Sequence, residues 1–168
     1  MKLTQHFALA EFTRSATAQA KGIDNSLDPS AKADQPIISC LTVLCENVLE
    51  PLRRHLNVPI VISSGYRCPA LNSAVGGSPT SQHMRGQACD IHIPSVSQGK
   101  QWMEWIMDNT TFDQLIWERN RQGTHWIHVS CKPDTKQNRQ QVLWIGGSPP
   151  PDGPPPSPPW GGGTNAGS

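Results

Sequence analysis

Apolar positions along the first dozen residues are few, but Phe7, Leu9 and Phe12 are spaced to pack on a core. A polar stretch follows, with Gly22, Asn25, Asp28 and Pro29 marking loops. From about residue 36 to 56 the pattern turns helical. Ile37, Leu41, Leu44, Val48 and Leu52 recur at three- and four-residue steps. Pro51 falls inside that run and is expected to kink or split the helix, because it has no N–H to donate. Residues 58–64 are rich in β-branched side chains and predict a short buried strand. A turn at 65–69 leads to a short helix over 70–75, ended by Gly76 and Gly77.

Residues 78–88 read as an ordered loop, and 88–93 as a second strand stopped by Pro94. A helix is predicted over 97–109, with Trp102 and Ile106 on its inner face and Trp105 at its margin. Residues 112–118 and 126–131 predict two strands joined by a hairpin through Arg119, Asn120 and Gly123. Residues 142–145 add an edge strand. This order suggests an α+β fold, with a small, mostly antiparallel sheet and helices against one side.

Composition sharpens the domain picture. Only 36% of the 168 residues are apolar. Residues 149–159 hold eight of the sixteen prolines, so the deficit is partly a tail effect. We therefore expect one folded domain over 1–146 and a disordered Pro/Gly-rich tail over 147–168, which cannot bury enough apolar area to order itself. The net charge of +1 gives no field that would draw the chain to nucleic acid or a membrane. Neither partner is expected, and a monomer is. No stretch approaches the roughly 18 apolar residues of a membrane span. The first residues lack an apolar signal segment, which predicts synthesis in the cytoplasm without a signal peptide. The five cysteines are odd in number and form no C-x-x-C pair, so reduced, mostly buried thiols are expected.

Chemistry concentrates between Ser81 and Asp90. His83 and Asp90 stand seven residues apart with Gly86 between them. Imidazole and carboxylate both suit zinc. The glycine permits a turn that brings a loop His beside a strand Asp. His128, on a predicted strand, can complete three ligands and leave a fourth position for water, as catalytic zinc sites do. On spacing alone, the plainer reading is a loop His hydrogen-bonded to a neighbouring acid. His92 shares a strand face with Asp90 and reads as a partly buried, hydrogen-bonded His. Trp102, Trp117 and Trp144 read as packing residues.

The run Ser81, His83, Gly86, Ala88, Asp90 resembles the signature of the zinc D-Ala-D-Ala peptidase family. Ser63 to Arg67, Leu71-Asn72, Val75 to Ser81, Phe112 to Glu118 and Trp126 to Ser130 resemble its carboxypeptidase branch. The similarity runs from about Leu3 to Cys131. Bacteria and their phages carry such domains, and hedgehog signalling domains share the fold. The resemblance implies one zinc ion per chain on His83, Asp90 and His128, and peptidoglycan peptides as substrate. It implies that Arg67 faces the substrate, where its guanidinium could grip a carboxylate in two places. Ser81 would bond substrate or fix its own loop, and Trp126, on the face of His128, would line the cleft.

Family members usually carry a Glu where Glu118 ends its strand, which makes Glu118 the first candidate for general base. The turn that follows is longer here than in the family. His125 is the competitor; strand alternation turns it away from His128 unless it still belongs to the loop. The resemblance leaves carboxypeptidase and endopeptidase activities open. A phage lysis or entry enzyme would use the same chemistry and reach the periplasmic wall through a holin or by injection. The rival class is a non-catalytic wall-binding or phage structural module.

Overall fold

The computed structural model describes residues 1–144. The predicted tail at 147–168 lies outside the described residues. Six helices are named here in chain order: α1 (Leu9–Thr13), α2 (Ala16–Lys21), α3 (Gln35–Leu44), α4 (Glu50–Leu56), α5 (Pro69–Ala74) and α6 (Val96–Asn109). The strands are β1 (Ile62–Ser64), β2 (Ala88–His92), β3 (Gln114–Arg119), β4 (His125–Ser130) and β5 (Gln141–Trp144). They form one sheet in the order β1-β2-β4-β3-β5. Every pairing is antiparallel except β3 with β5. The fold is thus the α+β arrangement expected.

Alternation along the central strands divides the sheet into two faces. Cys89 and Ile91 of β2, Leu115 and Trp117 of β3, and Ile127 and Val129 of β4 are buried in one apolar cluster with residues of α3, α4 and α6. Phe7, Leu9 and Phe12 join the same cluster. The intervening residues, among them Asp90, Glu118 and His128, face the other way. Trp102, Trp117 and Trp144 are all buried in the core. All five cysteines are free thiols, with Cys68 the one that is not fully buried.

The long helical run is split, but one turn before Pro51. Cys45–Leu49 form a wider π turn between α3 and α4. Pro51 then sits in the first turn of α4, directly after that π turn. The 58–64 strand is shorter than its pattern predicts. Only Ile62–Ser64 pair, and Val58 and Val61 are 42% and 47% exposed. Here β1 is an edge strand, so its outer backbone needs no partner, and Pro59 could donate no ladder bond. The polar segment after Phe12 was not predicted to fold locally, yet it forms α2, capped by Ser15 Oγ accepting from Ala18 N at 3.2 Å. No helix among the described residues is long and apolar enough to cross a membrane.

The N-terminal segment is pinned to α4 through Glu50, whose side chain is only 4% exposed. His6 N donates to Oε1 at 2.7 Å, and His6 Nδ1 lies 2.9 Å from Oε2. Burial alone would raise the Glu50 pKa, but these bonds outweigh it and pull the carboxyl down to about 2. A depressed carboxylate pKa stabilises the fold above its unfolded value of about 4.5 and loses that contribution as the pH falls towards 2. We expect Glu50→Gln to cost about 3 kcal/mol at pH 7, with roughly half the difference gone at pH 3. Urea denaturation of both proteins at the two pH values checks this. A gap that does not narrow would contradict the assignment.

Candidate metal centre and cleft

Asp90 of β2 lies directly opposite His128 of β4, so both side chains leave the face turned away from the core. His83 reaches them from a single 3-10 turn, Gln82–Arg85. Ser81 opens that turn, its Oγ accepting from His83 N at 3.2 Å. Gly86 closes it with φ of 69°. A Cβ on Gly86 would come within 2.5 Å of the Ile37 carbonyl oxygen, so the expected glycine requirement is both conformational and steric.

The donor atoms that His83, Asp90 and His128 could offer a metal ion all lie within 4.8 Å of one another, and all three residues are buried. Asp90 Oδ1 is 3.5 Å from His83 Nε2 and 3.1 Å from His128 Nδ1. Two ligands about 2.0–2.1 Å from one tetrahedral zinc would stand about 3.3 Å apart, so both spacings fit a single ion. His83 Nδ1 is 2.7 Å from the Gly65 carbonyl. A carbonyl only accepts, so Nδ1 donates to it and Nε2 is the ring nitrogen that faces Asp90. That carbonyl is held tightly, since a Cβ on Gly65 would come within 2.6 Å of the Phe12 backbone.

Asp90 is poised as an anion. Burial pushes its pKa up, but bonds from His128 and His83 and their charge outweigh it, holding the carboxyl well below the usual range. Arg67 adds to this. Its Nη2 donates to Asp90 Oδ2 at 3.2 Å and its Nε to Ser64 Oγ at 3.0 Å. The Arg67 side chain is 16% exposed. It is therefore not a loose turn residue: it braces the Asp90 carboxylate and still lines the cleft. A bulge in β1 contributes, because the slip in register after Ile62 sets Ser64 opposite Asp90.

The site opens into a cleft of about 590 Å³. Of the residues singled out in the sequence, Arg67, Ser81, His83, Asp90, Glu118 and His128 line it. On β3, Ile116 pairs with His128 and Glu118 with Trp126, so Glu118 stands diagonally beside His128 on the cleft face. Burial first, and then the charge of Asp90, raise the Glu118 pKa; His128, Arg67 and Trp126 oppose the shift.

The structure does not bring His125 into the cleft. β4 has already begun at His125, so alternation points it to the opposite face, where its ring stacks on Trp117 at 5.1 Å. Trp126 shares the face of His128 but is not among the residues lining the cleft. Its buried indole Nε1 makes no hydrogen bond of normal geometry, yet it sits close enough to Glu118 to favour the charged carboxylate. His92 is exposed rather than partly buried, because it lies at the end of β2.

A family model described as Peptidase M15 matches residues 5–130. The chain belongs to the peptidase M15 family. It is thereby a peptide-bond hydrolase of a zinc-dependent family, and its His-Asp-His donor set suits that metal. No curated protein matches the chain.

In this M15 peptidase the cleft has a second wall that sequence reasoning missed. Asp113, fully buried, accepts from Arg139 Nε at 3.0 Å and from Arg139 Nη2 at 2.8 Å. Gln82 Nε2 donates to it at 3.0 Å, and Lys132 Nζ lies 3.5 Å away. Burial would raise the Asp113 pKa, but the Arg139 bonds bring it down to about 2. Gln82 precedes His83 in the chain, so this cluster ties the ligand-bearing turn to the sheet. The Asp113 carboxyl was visible at the head of a predicted strand. Arg139 stands 26 positions later, beyond any spacing rule.

Proposed function

We propose that this chain is a zinc metallopeptidase that hydrolyses peptide bonds of bacterial peptidoglycan, as a D-Ala-D-Ala-type carboxypeptidase or a cross-link endopeptidase. The observation that carries the reading is the convergence of His83, Asp90 and His128 at the floor of a cleft whose wall also presents Glu118. Zinc, when bound, supplies a Lewis acid that polarises a carbonyl and acidifies water. His83 would bind it through Nε2, His128 through Nδ1 and Asp90 through a carboxylate oxygen. The Gly65 carbonyl holds the His83 tautomer and Arg67 holds Asp90. Glu118 takes a proton from the attacking water and returns it to the leaving amine. Its raised pKa brings the carboxylate closer to the neutral range, where a base of this kind works best. Arg67, with donors beyond those used by Asp90 and Ser64, orients the peptide. Ser81 fixes the turn that carries His83.

The test is incubation of the zinc-loaded protein with purified peptidoglycan, with His83→Ala alongside. Release of free amino groups by the wild type alone is expected, together with about one zinc per wild-type chain. Binding to the wall without amine release would instead point to a non-catalytic module.

A further inference from the structure

We propose that the Arg85–Lys132 side of the cleft, built around the Asp113–Arg139 pair, binds a carboxylate that the substrate carries two to three residues from the scissile bond. This rests on the peptidase reading for its location, and names the chemical class of peptide that the cleft takes.

The charge ledger of the cleft is uneven. Arg67 is engaged by Asp90, and Arg139 by Asp113 in a two-point grip. Those pairs cancel. Lys132 is left over: Asp113 lies 3.5 Å from its ammonium, but that carboxylate is already matched by Arg139. Arg85 is exposed, lines the same cleft and makes no ion pair among the described residues. Glu118, the remaining carboxylate of the cleft, interacts with Arg67, His128 and Asp90, so Arg85 and Lys132 are two cations without a full counter-charge of their own. Asp113 is the device that positions this wall. Buried and bonded to Gln82 and to Arg139, it fixes both the strand that leads to Ile116 and the segment that follows β4.

The register sets the separation. Ile116 lies opposite His128, and Gln114, two residues back on the same face, also lines the cleft. At about 3.3 Å per residue, Gln114 is about 7 Å from Ile116, and Asp113 lies one residue further. An extended peptide rises by the same amount per residue. A group held by the cationic wall thus sits about two to three residues from a bond held at the metal. A carboxylate is the ligand that these donors suit, since guanidinium and ammonium both form charge-assisted bonds to it. Lys132 and Arg139 lie beyond the span matched by the family, 5–130, whereas Arg85 and Asp113 lie within it.

The test reads binding, not turnover. Zinc-loaded full-length protein carrying Glu118→Gln is titrated with a fluorescent stem pentapeptide, L-Ala-D-Glu-L-Lys-D-Ala-D-Ala. The D-Glu α-carboxylate is either free or amidated. We expect the free acid to bind about fivefold tighter, the scale of one partly exposed ion pair. Adding Arg85→Gln and Lys132→Gln should bring the ratio to one. Both side chains are partly exposed and Arg139 still satisfies Asp113, so an unchanged melting curve is expected and serves as the folding control. Equal affinity for acid and amide in the parent, or no binding of either, overturns the proposal; so does a ratio that survives both substitutions. A third peptide with its C-terminal carboxylate amidated separates the sources. If the two substitutions erase the response to that group instead, the wall reads the chain terminus and the proposal fails. Failure of the wild type to hydrolyse peptidoglycan would count against the enzyme reading alone and leave the affinity ratio interpretable.

Discussion

Replacing Glu118 by Gln is expected to lower peptidoglycan hydrolysis by about 10²–10⁴-fold, the contribution of a positioned general base. Zinc content should stay near one per chain, because Glu118 is not among the three grouped ligands. Gln keeps the size and the hydrogen-bonding capacity of the side chain but cannot take a proton from water. The wild-type rate should also fall on acidification as the Glu118 carboxylate protonates. Burial and the neighbouring charge of Asp90 place that protonation above the ordinary carboxylate range, against the pull of His128, Arg67 and Trp126. The residual rate of Glu118→Gln should lack this acid limb. Steady-state rates across pH, paired with metal analysis, check both points. A variant that keeps its zinc and most of its activity would remove Glu118 from the mechanism. His125 could not then replace it without leaving its stack on Trp117.

The second large effect is expected at Asp90→Asn. One carboxylate here faces three partners: His83, His128 and Arg67. Losing its charge should weaken zinc binding by more than about 100-fold, since even groups behind the ligands typically cost 10–100-fold. The chelated protein should suffer too. Arg67 would stand largely buried beside a neutral amide, and breaking a buried pair costs about 3 kcal/mol at the lower end of its range. Competition against a chelator of known affinity measures the first effect, and urea denaturation of the metal-free proteins the second. If Asp90→Asn held zinc as tightly as wild type, the assignment of Asp90 as a ligand would be wrong. If zinc were lost but the metal-free stability unchanged, the carboxylate would serve the metal and not the frame.

Local signals carried much of the fold because they depend on neighbouring residues alone. The two-residue alternation of β2, β3 and β4, the hairpin residues and the helical spacing of Ile37, Leu41 and Leu44 are properties of short windows. Gly86, between His83 and Asp90, was legible for the same reason: a tight turn needs positive φ, and the structure shows 69°. Errors arose where context outweighs the window. Residues 58–61 are apolar enough for a buried strand, but Val58 and Val61 stay open to solvent and only Ile60 reaches the core. The segment Ala16–Lys21 reads only as a polar stretch, yet it forms a helix with a Ser15 cap and a place against α5.

The sequence by itself determined the α+β class, the order of most elements and the short motif that carries two of the three grouped donor residues. These follow from periodicity, turn chemistry and a resemblance carried by contiguous residues. Only the tertiary structure decided which side chains share a cleft. It set His128 opposite Asp90, turned His125 to the far face by starting β4 one residue before Trp126, and drew Arg67 onto Asp90. It also joined Asp113 to Arg139 across the parallel β3–β5 edge. Such contacts depend on strand register and on chain closure over many residues, and no local pattern encodes either.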